Sequence, residues 1–164
     1  MELYLHIPYC RQKCRYCDFA SYTRQESTMA AYVDALLREA DAMAVNAKDA
    51  PIKTVFIGGG TPSTLPAELL ERLLAGLHER FHIPAGIEFT SEANPGTLTP
   101  EWLEAAVNGG VNRLSMGMQA SQPELLRTLG RIHTQTDAEH SVQLARQHGI
   151  GNISVDLMFG LPGQ

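Results

Sequence analysis

The sequence predicts an α/β fold built on a parallel β-sheet, and three observations support this prediction. Strand-like and helix-like segments alternate along the 164 residues, and this order implies parallel strands joined by crossover helices. Hydrophobic residues make up 44% of the chain and charged residues 19%, which is enough to form a core. Polar and glycine-rich residues follow several strands. The sheet is expected to be either open and doubly wound or part of a barrel, in a single domain over residues 1–164.

Five segments have the β-branched, aromatic or alternating pattern of short strands. They cover residues 3–7, 54–57, 87–92, 111–118 and 153–158. The first strand runs into a cluster of cysteines, and the second runs into the glycine-rich stretch at residues 58–62. The sequence stops soon after the fifth strand. We therefore expect that strand to be an exposed edge and the chain to be truncated after it.

The helix-like segments have apolar residues three and four positions apart. They cover residues 28–45, 66–80, 123–129 and 136–148, together with a helix that Thr99 caps and Pro100 begins. In that helix, which ends at residues 108–110, we expect four residues to face inward: Trp102, Leu103, Ala106 and Val107. Residues 49–51 form a predicted linker.

Charge and hydropathy exclude several classes of protein. A formal net charge of −5 argues against binding to nucleic acid, because phosphate contacts require clustered Lys and Arg. No apolar run is long enough to span a membrane. The N-terminal residues have neither the basic region nor the long apolar region of a secretory signal. These features predict a soluble, cytoplasmic protein.

The three cysteines of the sequence, Cys10, Cys14 and Cys17, fall within eight residues. An odd number of cysteines excludes a complete disulfide framework, and three thiols in one short loop indicate a metal site. An iron–sulfur cluster is one interpretation, since three thiolates would leave one iron of a four-iron cluster open to another ligand. A structural zinc with His6 as the fourth ligand is a second interpretation. Three unligated thiols are a third.

Other polar residues follow different strands of the predicted sheet. Besides the cysteine loop and residues 58–61, they include Glu92, Gln119 and Asp156. Ligands of parallel sheets bind at the carboxyl ends of the strands, so we expect these residues to share a site. The glycine-rich stretch does not have the G-x-G-x-x-G spacing of a dinucleotide-binding turn.

The pattern Cys10-x-x-x-Cys14-x-x-Cys17, with Tyr16 before the third cysteine, resembles that of the radical S-adenosylmethionine (radical SAM) superfamily. The Gly-Gly-Gly-Thr-Pro turn at residues 58–62 matches a second motif of that superfamily. The resemblance implies a partial (β/α)₆ TIM-like barrel, the radical SAM core, whose cluster loop follows the first strand. It also implies two cofactors, a [4Fe–4S] cluster and S-adenosyl-L-methionine (SAM).

Finer motifs resemble the oxygen-independent coproporphyrinogen III oxidase family; they lie at residues 4–10, 92–96, 112–119 and 156–162. The true oxidases carry a further cysteine two positions after the third, where this chain has Phe19. That residue and the Leu-Gly-Arg-Ile-His stretch at residues 129–133 resemble the sister branch of HemW-like heme chaperones. The resemblance therefore implies a heme chaperone. An oxidase that converts propionates to vinyl groups and a zinc-binding or scaffolding module are the alternatives.

The resemblance also implies roles for individual residues. Cys10, Cys14 and Cys17 would each bind an iron, and the amino and carboxylate groups of SAM would bind the fourth. The SAM contacts would come from Tyr4, Tyr16, Gly59, Gly60, Thr61 and Glu92. Three further positions line a second SAM site in the oxidase: Gln119, Arg131 and Asp156.

Heme or a porphyrin is the expected ligand, and an unidentified heme acceptor and electron donor are the expected partners. His6 is a candidate to orient a cluster ligand or to contact heme, with a hydrogen-bonded histidine at the end of a strand as the alternative, and His133 is a weaker candidate for a heme ligand. The methionines at 116, 118 and 158 are expected to pack against the sheet.

Overall fold

A computed structural model describes residues 1–47 and 50–164 and contains one five-stranded sheet. The strands are β1 (Glu2–Ile7), β2 (Thr54–Gly59), β3 (Glu88–Ala93), β4 (Arg113–Gln119) and β5 (Asn152–Leu157). Their spatial order is the same as their order in the chain, and every neighbouring pair is parallel. A doubly wound sheet would reverse its order at a switch point, whereas a barrel would not. The α/β prediction is confirmed, and the strand order is that of a partial barrel.

Helices cover one face of this sheet. They are α1 (Met29–Ala47), α2 (Ala67–Arg80), α3 (Pro100–Asn108), α4 (Pro123–Leu129) and α5 (Gln135–Gln147). Alternate strand residues point toward the helices, as in β1, where Leu3, Leu5 and Ile7 are buried while Tyr4 between them is exposed. None of the helices in the described parts of the chain has both the length and the apolar character needed to cross a membrane.

The opposite face of the sheet is polar. It carries Tyr4 and His6 on β1, Glu92 on β3 and Asp156 on β5. None of these four side chains is fully buried. These strands therefore bury one apolar face against the helices and expose one polar face on the inner side of the partial barrel. In folds of this kind, ligands bind at the carboxyl ends of the strands.

Side-chain caps place the helix starts close to their predicted positions. Thr99 accepts a hydrogen bond from the Trp102 amide, and Pro100 is the first residue of α3 as predicted. Thr134 and Asp137 form a reciprocal capping box, so α5 begins at Gln135, one residue before its expected start. Val107 is 37% exposed, contrary to the prediction that it faces inward.

The largest displacement of a strand start concerns β4, which begins at Arg113 instead of residue 111. The Val111 amide donates to the carbonyl of Ala106, and the Asn112 amide donates to the carbonyl of Phe89. The first of these bonds closes the end of α3, and the strand can begin only after it. At the other end, β4 includes Gln119, which the sequence placed just beyond it. Of the predicted linker, Ala50 and Pro51 belong to no helix or strand, and Asp49 lies outside the described residues.

The fifth strand is an edge, as expected. Within the described chain, β5 pairs with β4 alone. Leu157 is 67% exposed on it. The methionines have the expected packing positions, since Met116 is fully buried and both Met118 and Met158 are half-buried.

Candidate functional site

A cavity of about 150 Å³ lies at the carboxyl ends of the strands. All three cysteines line it, together with most of the residues that the sequence indicated for cofactor binding: Tyr16, Gly59, Gly60, Thr61, Glu92, Gln119, Arg131 and Asp156. These residues come from the cysteine loop (residues 10–17), from the carboxyl ends of β2, β3, β4 and β5, and, for Arg131, from the turn after α4. The fold thus brings them together at the edge of the sheet where ligands bind in parallel α/β proteins.

The cysteines are free thiols, and each is partly buried. The Cys10 Sγ lies 3.5 Å from the Thr61 hydroxyl, and Arg131 Nη1 lies 3.4 Å from the Cys14 Sγ. The Cys17 amide donates to the carbonyl of Cys14, which closes a tight turn between these two residues. Among the described residues, no three His, Cys, Asp or Glu side chains are grouped closely enough to hold a single metal ion.

The glycine turn after β2 uses its N–H groups within the protein. The Gly59 amide donates to Glu92 Oε2 at 2.9 Å, the Gly60 amide to the Ile7 carbonyl at 2.8 Å and the Thr61 amide to the Tyr9 carbonyl at 2.7 Å. The Thr61 carbonyl accepts from both the amide and the hydroxyl of Thr64, so a backbone contact from this turn to a ligand would come from the carbonyl oxygen of Gly59 or Gly60. Carbonyl oxygens favour a hydrogen-bond donor such as an amino group over an anion.

Gly60 permits the close approach of this turn to β1. A Cβ atom at residue 60 would lie 2.6 Å from the Tyr9 carbonyl oxygen and 2.9 Å from the Ile7 carbonyl oxygen. Both are backbone atoms that cannot rotate away. The absence of a side chain at Gly60 thus fixes the distance between the glycine turn and the segment that leads into Cys10.

Glu92 projects from the end of β3 into the cavity. Burial raises the pKa of its carboxyl group, and the hydrogen bond from Gly59 partly opposes this shift. The negative charge of Asp156 raises the pKa of Glu92 further, whereas His6 lowers it. Two carboxylates from β3 and β5 therefore interact across the cavity. This arrangement favours a positively charged ligand between them.

Gln119 has an unusual backbone conformation for a residue other than glycine, with φ at 69°. It lies at a register irregularity between β4 and β5. Bulges of this kind redirect side chains near functional sites, and Gln119 here lines the cavity. Gly117 gives it room, since a Cβ there would lie 2.8 Å from both Gln119 Nε2 and Arg131 Nη2.

The two tyrosines of the predicted site have different surroundings. Tyr16 lines the cavity, and burial raises its pKa to about 12, with a hydrogen bond to Cys14 acting in the same direction and the charge of Arg131 opposing it. Tyr4 is 61% exposed, stacks on Phe56 and lies outside the lining of the cavity. Burial and the charge of Glu92 raise the pKa of Tyr4, because both residues lie on the polar face of the sheet.

Both ring nitrogens of His6 are engaged. Nε2 lies 2.7 Å from the Ala20 carbonyl oxygen, so this nitrogen carries the hydrogen and donates it. Nδ1 then accepts from the Tyr4 hydroxyl at 3.0 Å. A zinc site that uses His6 as its fourth ligand would have to break one of these bonds, so the geometry favours an orienting role for His6.

The cysteine loop rests on the turn that follows α4, at residues 129–131. The Arg15 amide donates to the Leu129 carbonyl at 3.0 Å, and Gln12 Nε2 donates to the Gly130 carbonyl at 2.8 Å. Gly130 has a φ of 73°, and a Cβ there would lie 3.2 Å from the Arg15 Cγ. This turn therefore supports the loop from the side opposite the glycine turn.

A second cavity of about 190 Å³ adjoins the first and shares Gln12, Cys14, Thr61, Asn94 and Arg131 with it. His133 lines this second cavity, is 7% exposed, and donates from Nε2 to the Met118 carbonyl at 3.0 Å. Burial lowers the pKa of His133, and the charge of Arg131 lowers it further. His133 therefore lines a neighbouring cavity and not the one that all three thiols line.

Several cavity residues were not singled out from the sequence. Asn94, Ser115 and Gly117 lie inside segments whose motifs were recognised, so their position at strand ends could have indicated them. Lys13 gave no such signal. Its ammonium group donates to the Phe19 carbonyl and to the Ser21 hydroxyl, which braces the loop beyond the third cysteine.

The fold and the cavity define a class of protein, and comparison with known families agrees with it. The sequence profile of the Radical SAM superfamily matches residues 4–164. The chain belongs to that superfamily.

Comparison with individual proteins narrows the relationship. The chain is 42% identical over 165 residues to a protein of Escherichia coli (strain K12) named heme chaperone HemW, covering 100% of this chain and 44% of that protein. It is 43% identical over 162 residues to the heme chaperone HemW of Bacillus subtilis (strain 168), covering 98% of this chain and 43% of that protein. The chain thus spans less than half the length of the curated relatives it matches.

A solved structure provides a third comparison. Coproporphyrinogen III oxidase (HemN) from Escherichia coli, described as a radical SAM enzyme, superimposes with a TM-score of 0.92 at 32% sequence identity. The match covers 99% of this chain and 38% of that protein. The similarity to both the heme chaperones and the oxidase is the one predicted from the sequence motifs.

Proposed function

We propose that residues 1–164 form the radical SAM core domain of a heme chaperone that binds a [4Fe–4S] cluster, SAM and heme. The observation that carries this proposal is the identity of 42–43% to heme chaperones over nearly the whole chain. Phe19, at the position where the resemblance expects an oxidase to have a fourth cysteine, supports the same branch. A cytoplasmic location belongs to the proposal, and three free cysteines are consistent with a reducing compartment.

The donor set of the cavity fits a cluster. Thiolates are the usual protein ligands of four-iron clusters, normally one for each iron, and Cys10, Cys14 and Cys17 line one wall of the cavity. In that arrangement the three thiolates would hold three irons. When bound, the cluster supplies an electron to a SAM molecule held at the fourth iron.

The remaining residues suit the charged end of SAM. Glu92 and Asp156 provide negative charge, and the N–H groups of Gly59, Gly60 and Thr61, which would favour an anion, are engaged within the protein. An ammonium or sulfonium group placed near Glu92 would stabilise its ionised form against the effect of burial. Tyr16, which contacts Cys14, closes the side of the cavity next to the loop.

Heme binding is tested by titration of the anaerobically reconstituted chain with heme, followed by absorbance. We expect a saturable Soret shift with about one heme per chain. A His133→Gln variant tests one heme-ligand candidate, and a His140→Gln variant, which changes an exposed residue of α5, is the matched control. A wild-type chain that shows no saturable heme binding would contradict the chaperone assignment.

Coproporphyrinogen III oxidase is a second candidate, because the solved oxidase shares this fold at a TM-score of 0.92. Incubation of the reduced, reconstituted chain with SAM and coproporphyrinogen III distinguishes the two functions. Production of 5′-deoxyadenosine coupled to loss of carbon dioxide would support the oxidase. Heme binding without decarboxylation is the result that our proposal predicts.

A further inference from the structure

A continuous series of polar contacts joins two of the cysteines through Asn94. The Asn94 Nδ2 donates to the Thr61 hydroxyl at 2.8 Å, and that hydroxyl lies 3.5 Å from the Cys10 Sγ. The Asn94 Oδ1 accepts from Arg131 Nη2 at 2.8 Å, and Arg131 Nη1 lies 3.4 Å from the Cys14 Sγ. One amide group therefore contacts the neighbours of two separate sulfur atoms.

The direction of these bonds follows from the chemistry of the amide. The Asn94 NH₂ group can only donate, so the Thr61 oxygen accepts from it and its hydroxyl hydrogen is available to point toward Cys10. The Asn94 side-chain oxygen can only accept, so together with the Gly117 carbonyl it holds the guanidinium of Arg131, whose other terminal nitrogen is directed at Cys14. Both ends of the amide thus orient a hydrogen-bond donor toward a sulfur atom.

Asn94 itself is held firmly. Its backbone amide donates to the Ser63 hydroxyl at 3.3 Å, and its backbone carbonyl oxygen accepts from both the amide and the hydroxyl of Thr97. It also follows directly after the last residue of β3. The backbone of Asn94 is therefore held by the sheet and by the turn that follows it, and not by the cysteine loop.

We propose that Asn94 is a positioning residue that directs hydrogen-bond donors onto the Cys10 and Cys14 sulfurs and thereby raises the reduction potential of the cluster. The inference rests on the proposed function, because it requires those sulfurs to be cluster ligands. Hydrogen bonds and positive charge near the sulfur ligands stabilise the more negative, reduced cluster. An amide is required at residue 94, since neither a carboxylate nor an apolar side chain can donate to Thr61 while accepting from Arg131.

The test is a potentiometric titration of the reconstituted chain, followed by the electron paramagnetic resonance (EPR) signal of the reduced cluster. We expect Asn94→Ala to shift the midpoint potential to a more negative value. Thr61→Val removes the donor to Cys10 and the acceptor of Asn94 Nδ2 but leaves the contact of Arg131 with Cys14, so it is expected to give a smaller shift in the same direction. Asn112→Ala is the matched control, because the Asn112 side-chain amide likewise bridges two chain segments but contacts only the backbone of Phe89 and Ile87.

The outcomes separate the inference from the proposed function. A wild-type chain that takes up no cluster contradicts both. A wild-type chain with a cluster whose potential is unchanged in Asn94→Ala, or shifted equally in Asn112→Ala, contradicts the role of Asn94 alone. If Asn94→Ala does not retain a cluster, the Thr61→Val variant decides: an unchanged potential overturns the inference and a negative shift supports it.

Discussion

The backbone amide of Gly59 donates a hydrogen bond to the Glu92 carboxylate at 2.9 Å, which joins the turn after β2 to the end of β3. This bond is the contact that holds Glu92 in the cavity. It also opposes, without cancelling, the effect of burial on the pKa of Glu92, which remains raised. The cavity therefore contains a carboxylate whose ionised form is destabilised until a cation approaches it.

Replacement of Glu92 by Gln is expected to change the dependence of stability on pH. Because the pKa of Glu92 is higher in the folded than in the unfolded chain, the folded chain binds more protons in the interval between the two values. The stability contributed by this group is therefore present below the unfolded pKa and is lost as pH rises through the folded pKa. Glu92→Gln lacks this loss and keeps an acceptor for Gly59. In the apoprotein, the Tm of Glu92→Gln minus the Tm of the wild type should therefore increase from acidic to neutral pH.

Glu88→Gln is the control for this measurement. Glu88 lies on the same face of β3, and its side chain is 54% exposed. The Tm of this variant over the same pH interval gives the effect of removing a carboxylate of β3 that is half exposed and lies 3.9 Å from Arg113. A Tm of Glu92→Gln that runs parallel to that of the wild type would show that burial of Glu92 has no energetic cost.

Gly60→Ala is expected to destabilise the chain, because the new methyl group would meet the backbone of Tyr9 and Ile7. Overpacking of this kind costs about 1–3 kcal/mol. Gly151→Ala is the control, since nothing lies within 4 Å of a Cβ at that position. The free energy of unfolding measured in urea should fall for the first variant and stay close to wild type for the second. Equal stabilities would show that the glycine turn can move away from β1.

Gly130→Ala tests whether the turn at residues 129–131 supports the cysteine loop. Both Gly130 and Gly149 have a positive φ, at 73° and 91°, so alanine strains both positions. A Cβ at Gly130 also meets Arg15, whereas a Cβ at Gly149 has no neighbour within 4 Å. Hydrogen exchange of the Arg15 amide should therefore accelerate in Gly130→Ala more than in Gly149→Ala. Equal exchange in the two variants would show that the loop does not depend on this turn.

His133 is expected to make the chain less stable in mild acid. Its pKa is lower in the folded chain than the ordinary value of 6.5, chiefly because the ring is buried. The unfolded chain therefore binds the proton more readily, and stability is lost as pH falls below the unfolded value. Thermal unfolding on either side of that pH should show a smaller loss for His133→Gln than for wild type. His140→Gln, which changes an exposed residue, is the control variant. A loss of stability in acid that is the same in His133→Gln as in His140→Gln would refute the prediction.

The bounds of a helix or strand could be predicted from the sequence where a single physical cause determines them. The apolar spacing of residues 123–129 defined α4 with the bounds that the structure has. Val107 was misassigned because it lies at the margin of the apolar face of α3, where the exposed fraction depends on how the helix is rotated against its neighbours. Tertiary packing, and not periodicity, decides such positions.

The sequence indicated which residues belong to the candidate site, but it did not indicate the hydrogen bonds between them. The strand-end position of Glu92 and Gln119 indicated a common site, and both residues line the cavity that contains the three thiols. The role of Asn94 depends on contacts with Thr61 and Arg131, which lie 33 and 37 positions away. No local pattern encodes such contacts, because they exist only after the sheet has brought the strand ends together.

In the proposed function, Cys10, Cys14 and Cys17 together hold a four-iron cluster with one open iron. The measurement is the iron and sulfide content of the anaerobically reconstituted chain, with the EPR spectrum of the reduced cluster before and after addition of SAM. We predict about four irons and four sulfides per chain, loss of both in Cys14→Ala, and a changed spectrum with SAM. Zinc in place of iron, a cluster retained in Cys14→Ala, or a spectrum unaffected by SAM would contradict the claim.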